Sequence, residues 1–408
     1  MKRVAVTGLG AVTPVGNDVP SFWESITAGR HGFGKITKFD PTGMKVSLAA
    51  EVKGFEPEKF IDKNEVKRTD LFAQYAIAAA AEAVADSNIA GRIDPARFGV
   101  YIGSGIGGIS TLIAEEEKLL SRGPSRISPY FVPMMISNIA SALVAIRYGA
   151  KGPSLPVVSA CATGSHAIGE AFRAIKYGYA DAIIAGGTEA AVNMLAVAGF
   201  VNCMALTQSS DPDACSIPFD RRRSGFVMGE GAGVLILEEY EHAKARGARI
   251  YCEITGYGNT CDAYHITAPD PSSEGVARAI NFALEEGGRT ADGKLYINAH
   301  GTSTPLNDKT ESLAIKKALG DTAYRVAVSS TKSMTGHMLG AAGGVEAIAT
   351  VKALECGIIP PTVGLLEPDP ECDLDYVPHV ARRCSIDKAL SLSLGFGGHN
   401  AVLCFIKE

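Results

Sequence analysis

The residues in this chain best suited to nucleophilic chemistry are one cysteine and two histidines, each placed after an apolar, strand-like run. VVSACATGSHAIGEA (157–171) sets Cys161 where a strand-like run gives way to helical spacing, continued by Ile168, Ala171, Phe172 and Ile175. Free N–H groups and the dipole at a helix start favour an anion, so a lowered thiol pKa is expected there. Ala160, Ala162 and Gly164 are small and leave room for a substrate. Position alone fits a buried, inert cysteine equally well. His166 lies five residues on, about 140° past a full helical turn, and is expected to pack elsewhere.

A nucleophilic cysteine needs a partner from another part of the chain. LYINAHGTSTPLNDKTES (295–312) supplies His300 at the end of a strand-like run. Asp308 and Glu311 are expected to form a capping box for the helix that follows. VAVSSTKSMTGHMLGAAGGVEAI (326–348) supplies Lys332 and His337 in a similar setting. Strand-to-loop junctions are where α/β sheets place chemistry. A lone histidine is usually structural. Two in matching settings point to a site.

The elements that must position these residues alternate. VAVTGL (4–9), FGVYIGSGIGG (98–108), LPVVSA (155–160) and DAIIAGG (181–187) read as strands, and FAQYAIAAAAEAVADS (72–87) reads as a helix. This βαβ rhythm predicts an α/β fold with helices covering sheets. SGFVMGEGAGVLILEE (224–239) and LSLGFGGHNAVLCFIKE (392–408) both couple glycines to an apolar strand. They suggest two related halves divided near residue 250.

The 408 residues are 46% hydrophobic and 20% charged, which predicts a globular chain with a large core. A net charge of -5 lacks the basic footprint of a nucleic-acid binder. Nine scattered cysteines without a CxxC pair argue against a zinc ribbon and fit a reducing, cytoplasmic setting. MKRVAVTGLGAVTPVG reads as a first buried strand rather than a signal peptide. No apolar run has the length and continuity to span a membrane.

SACATGSHAI, NAHGTSTPLND, TKSMTGHMLGAAGG and GFGGHN, in that order, resemble the β-ketoacyl-acyl-carrier-protein synthases of the thiolase-like superfamily, in their elongating type II form. The resemblance runs almost end to end. It implies an α/β, thiolase-like duplicated fold, layered α-β-α-β-α with two mixed sheets, and a homodimer. Residues 1–250 would form the half carrying the nucleophile, and 251–408 the half carrying the histidines. Cys161, His300 and His337 would form the triad, with Lys332 beside it and Glu346 supporting the lysine. Backbone N–H groups of Cys161 and Phe396 would hold the oxyanion. Phe396 would also act as a gate, on a loop its glycines let move.

Softer assignments follow from the same resemblance. Thr302, Thr304 and Thr267 would contact the phosphopantetheine arm, although turn chemistry also explains them. Ile106 would line the acyl pocket and Phe131 of the other subunit would close it; either also fits a core. Lys63, Lys67, Arg68 and Arg126 would dock an acidic acyl carrier protein, and a solvated face is the plainer reading. Val66 stands where the family often has a basic residue. LSLGFGG replaces the family's usual NSFGFGG, so no cation is expected near Leu392, and Leu394 is expected to reshape the pocket near the gate.

The implied reaction is decarboxylative Claisen condensation of an acyl thioester with malonyl-acyl carrier protein in fatty-acid elongation. It needs no metal and no cofactor beyond the phosphopantetheine that carries the substrates. A ketosynthase of a specialised polyketide or polyene pathway is the alternative. A dinucleotide-binding oxidoreductase would use the glycines of 103–108, but RGPSRISPYFVP (122–133) is not the second strand that motif needs. A cysteine hydrolase would leave the second histidine and Lys332 without a task. A non-catalytic dimer partner would usually lack the cysteine.

Overall fold

The computed structural model describes residues 1–288 and 294–408. Strand β1 (Val4–Val12) is buried along its whole length, as a continuous apolar run is when helices cover both faces of a sheet. Helix α1 (Leu71–Ser87) packs on it. Asp70 caps that helix by accepting from Phe72 N, and Asn88 ends it in the left-handed conformation. Strand β2 (Phe98–Gly103), helix α2 (Thr163–Lys176) and strands β3 (Ala182–Glu189) and β4 (Gly231–Glu239) follow. Next come strand β5 (Cys252–Cys261), helix α3 (Glu274–Glu286), strand β6 (Leu295–Asn298) and helix α4 (Pro305–Leu319). Strand β7 (Ala327–Ser329), helix α5 (Ala342–Cys356) and strands β8 (Lys388–Gly395) and β9 (His399–Ile406) complete the framework.

Among the described residues these strands join in the order β2-β3-β4-β1-β5-β9-β8-β6-β7. The pattern repeats outward from the centre. β1 pairs antiparallel with β4, β4 antiparallel with β3, and β3 parallel with β2. On the other side β5 pairs antiparallel with β9, β9 antiparallel with β8, and β8 parallel with β6, which is parallel to β7. Residues 153–155 run parallel beside β2, where β7 stands in the second copy: Val100 N donates to Pro153 O at 3.0 Å and Leu155 N to Val100 O at 3.2 Å.

Helices α2 and α5 pack on each other and on strands of both copies. Helix α1 covers the far face of the first copy, and α3 with α4 covers that of the second. The result is the α-β-α-β-α layering expected from the sequence. The two mixed sheets are not separate, however. Three residues of β1, Val4–Val6, pair with β5 and join them into one ladder. Past Val6 the α2–α5 layer lies between the copies and the pairing stops. Leu9 N and Ala11 N then donate to Asp86 and Glu82 of α1, at 3.0 and 2.8 Å. An open strand edge inside a protein needs such acceptors. Close approach of α2 and α5 needs glycine: a Cβ on Gly164 would lie 2.6 Å from Gly344 N, and one on Gly343 2.4 Å from Ser165 N.

Candidate active site

Cys161 sits in a single tight turn, Ala160–Ala162, that runs directly into α2. Ala160 has φ +51°, a left-handed conformation that strains a residue with a Cβ. Ser159 N donates to Thr163 Oγ1 at 2.9 Å and Ala162 N to Ser159 O at 3.1 Å, which holds the turn. The same construction recurs at the start of α5, where the turn Leu339–Ala341 begins with Leu339 at φ +48°. The first of these turns carries the thiol. It faces a cavity of about 380 Å³ lined also by Phe200, Phe226, His300, His337 and Phe396.

His300 lies two residues beyond β6. His300 N and Gly301 N donate to the two oxygens of Glu311 at 2.6 and 2.8 Å. Glu311 therefore does not close a capping box on α4. Asp308 does not either: it accepts from Phe219 N at 2.9 Å and lies 3.5 Å from Arg223. Thr304 is the N-cap residue and its side chain makes no capping bond. Buried loop N–H groups nearby need acceptors, and that need claims both acids.

His337 is fixed through its main chain. Its N–H donates to Val227 O and its carbonyl accepts from Gly229 N, each at 2.8 Å. The rings of His300 and His337 stand 5.2 Å apart and nearly perpendicular, with the ring of Phe226 5.0 Å from His337. Behind them, the buried Lys332 pairs with the buried Glu346, and its Nζ lies 3.3 Å from His300 Nδ1. An ammonium can only donate, so Nδ1 accepts and His300 carries its proton on Nε2.

Burial first, and Lys332 second, hold the pKa values of both histidines well below the ordinary range, so both rings are neutral. Burial also pushes the Cys161 thiol up to about 12, although the Lys332 charge and a hydrogen bond from the Phe396 backbone pull it down. The lowered pKa expected from the sequence is thus overturned, because loss of water outweighs the helix start. A neutral thiol rests against two neutral imidazoles. Alkylation of Cys161 by iodoacetamide should therefore climb about tenfold per pH unit from pH 7 to 10. A plateau below pH 9 would contradict this.

Cys161, His300, His337, Thr267, Thr302, Thr304 and Phe396 all line the cavity, and Lys332 and Glu346 stand behind it. The hydroxyls of Thr302 and Thr304 are 3.0 Å apart. The turn between β8 and β9 crosses the cysteine: a Cβ on Gly395 would lie 3.4 Å from Cys161 N. Phe396 follows it and faces Phe200 at 6.3 Å. Within one chain Ile106 and Phe131 do not reach the cavity lining; Ile106 is 38% exposed. Leu392 is buried and Leu394 lines the cavity. Lys63, Lys67, Arg68 and Arg126 are all exposed, and the Arg68 guanidinium lies 4.8 Å from the centre of the Tyr130 ring. His166 is packed, with Nδ1 2.6 Å from Ser159 Oγ. Sequence reasoning missed Phe200 and Phe226, which nothing local distinguishes from core aromatics. It also missed Glu189, whose signal was a carboxylate closing an otherwise uncharged strand, AIIAGGTE.

A thiol on a helix-start turn, set against two buried neutral histidines in a doubled five-layer fold, defines a thiolase-like enzyme. The chain belongs to the beta-ketoacyl synthase family: residues 1–243 match its N-terminal domain and residues 251–366 its C-terminal domain. It is 54% identical to the 3-oxoacyl-[acyl-carrier-protein] synthase 2 of Synechocystis sp. over 408 residues, 100% of this chain and 98% of the relative. It is 51% identical to the protein of the same name from Staphylococcus aureus over 407 residues, 100% of this chain and 98% of that one. A solved type II PKS ketosynthase, bound to the hexaketide and in complex with its acyl-carrier protein, superimposes with a TM-score of 0.91 at 36% identity, over 100% of this chain and 99% of that one. Among the described residues no helix is long and apolar enough to cross a membrane.

Proposed function

We infer that the chain elongates acyl chains by decarboxylative condensation in fatty-acid synthesis. The observation that carries this is Cys161 beneath the Phe396 backbone, facing two neutral histidines with His300 fixed as an Nε2–H donor by Lys332. Sulfur attacks the carbonyl of an acyl thioester as it gives up its proton, which passes toward the departing carrier sulfur. The N–H groups of Cys161 and Phe396 take the oxyanion. The carrier thiolate leaves with that proton and the acyl group stays on Cys161. Malonyl-acyl carrier protein then enters, with Thr302, Thr304 and Thr267 along the path of its arm. Loss of carbon dioxide leaves an enolate whose oxygen accepts hydrogen bonds from the two imidazole N–H groups. The enolate carbon attacks the acyl-cysteine carbonyl, the C–S bond breaks, Cys161 leaves as a thiolate that takes a proton from solvent, and the product departs two carbons longer. The reaction so written uses no metal or organic cofactor beyond the carriers' phosphopantetheine.

Cys161→Gln places an amide where the acyl-cysteine would stand. It should release carbon dioxide from malonyl-acyl carrier protein at no less than the wild-type rate and form no condensed product. Absence of carbon dioxide release would count against this order of steps.

The acyl carrier protein is read as docking on Lys63, Lys67, Arg68 and Arg126, since acidic partners seek exposed cations. The Arg68–Tyr130 contact brings the 63–68 and 126–130 segments onto one face. Reversing charge at Lys67 and Arg68 together should raise KM for carrier-bound substrates about tenfold or more and spare small thioesters. Equal effects on both substrate types would remove the docking assignment.

The chain is read as halves 1–250 and 251–408, which the repeated strand order supports. It is read as a homodimer in which Ile106 lines the acyl pocket and Phe131 closes it from the other subunit; exposed Val132, Ile146, Leu155 and Val158 support a covered face. A cytoplasmic location agrees with nine unpaired cysteines. Leu394 in the cavity wall favours one second reading, a ketosynthase of a specialised polyketide or polyene pathway. Turnover of polyketide or polyene intermediates in preference to saturated acyl carriers would establish it.

A further inference from the structure

Glu189 ends β3 and is fully buried. Among the described residues it has no cationic partner within ion-pair distance. Its two oxygens take four donors instead. One accepts from Ser104 Oγ at 2.8 Å and Ile106 N at 3.2 Å. The other accepts from Gly105 N at 2.9 Å and Gly340 N at 3.1 Å. The donors come from two segments far apart in sequence. Residues 103–105 adjoin the cysteine turn and the start of α2: a Cβ on Gly103 would lie 2.5 Å from Thr163 Cγ2, and one on Gly105 3.5 Å from Ala160 O. Gly340 belongs to the matching turn Leu339–Ala341, which begins two residues after His337.

The two glycines let these segments meet main chain to main chain. A Cβ on Gly340 would lie 2.5 Å from Gly105 N and 2.9 Å from the shared Glu189 oxygen. A buried carboxylate is costly unless its oxygens are filled, and each neighbouring amide is costly without an acceptor. Burial pushes this carboxyl up to about 7 against the pull of those donors. The strained turn at Leu339 is thereby tied through one side chain to the loop 104–106 beside the cysteine turn.

We propose that Glu189 is a positioning residue: it clamps the turn after His337 to the loop beside Cys161 and so holds His337 in register for the malonyl step. His337 is fixed on its other side by Val227 and Gly229, so losing the clamp frees one side of it. Acyl transfer relies on Cys161 and the Phe396 backbone, neither of which bonds to Glu189. The Glu189 charge does push the Cys161 thiol up, so Gly340→Ala, which keeps that charge, separates the clamp from this effect. The inference rests on the reading that Cys161 is acylated and the histidines serve decarboxylation.

The test uses the purified full chain as Glu189→Gln and, separately, Gly340→Ala, which opens the same junction with the carboxylate intact. Three quantities are measured: hydrogen exchange of a peptide spanning Leu339–Ala341, acyl transfer to Cys161, and carbon dioxide release from malonyl-acyl carrier protein in a Cys161→Gln background. Exchange should quicken about tenfold, decarboxylation kcat should fall about tenfold at unchanged KM, and acyl transfer should stay within about threefold. Unchanged exchange overturns the clamp. Faster exchange with both half-reactions intact, or with both falling in parallel with thermal stability, overturns its positioning role. A wild-type chain that performs neither half-reaction sinks the functional reading instead, and exchange alone then decides the clamp.

Discussion

Cys161→Ala should abolish acylation and lower condensation by at least ~10³-fold, because no other nucleophile replaces the covalent carrier of the acyl chain. The cavity holds another thiol, Cys203, but it is exposed at the lining, while Cys161 lies against the Phe396 backbone. The variant should still fold. His300 is held by Glu311, and His337 by Val227 and Gly229, none of which needs the sulfur. Removing one buried sulfur should cost about 1 kcal/mol. Product assays with an unfolding curve on the same sample check this. Normal product formation would end the nucleophile assignment.

Lys332→Ala should be the most destabilising of these changes. It strands the Glu346 carboxylate in the interior, and breaking a buried pair from one side costs about 3–5 kcal/mol. Burial already pushes the Glu346 carboxyl up to about 7 with Lys332 present, and loss of the ammonium pushes it further. The sign with pH follows. In the variant the folded state holds this proton above the pH at which the unfolded chain, near 4.5, releases it. Unfolding free energy therefore falls as pH rises through that window. The deficit against wild type should be smallest near pH 5 and largest near pH 8. Denaturant unfolding at those two pH values measures it, and an equal deficit at both would contradict it. Replacing the pair with Lys332→Met and Glu346→Leu should recover much of the stability but not the activity, since His300 Nδ1 then has no donor to set its tautomer.

The sequence revealed what is local. His300 was visible because it follows strand β6 by two residues. Cys161 was visible as a thiol between an apolar run and helical spacing, although 156–159 forms no strand, and His337 lies eight residues past β7, with the short helix Lys332–Thr335 between. The duplication was visible in the glycine-to-strand units at 224–239 and 392–408, and the strand order bears out the doubled fold. Contacts between distant segments were not visible. Glu311 looked like a capping residue by its spacing, yet two loop amides outcompete the helix start for its oxygens. The thiol looked poised to ionise, yet burial among segments from both halves reverses that. Glu189 showed only as a charge after an uncharged strand, because its four donors arrive from residues 104–106 and 340. Joining of the sheets through Val4–Val6 was equally hidden, since pairing at a strand end leaves no periodic mark.

The central claim is that Cys161 carries the growing chain between two half-reactions. The direct test is the intact mass of the protein after incubation with acyl-acyl carrier protein, with peptide mapping of the adduct and then addition of malonyl-acyl carrier protein. One acyl group should appear, on Cys161, and should be discharged to a 3-oxoacyl product two carbons longer. No adduct across a range of chain lengths, or an adduct that is lost only by hydrolysis, would contradict the account.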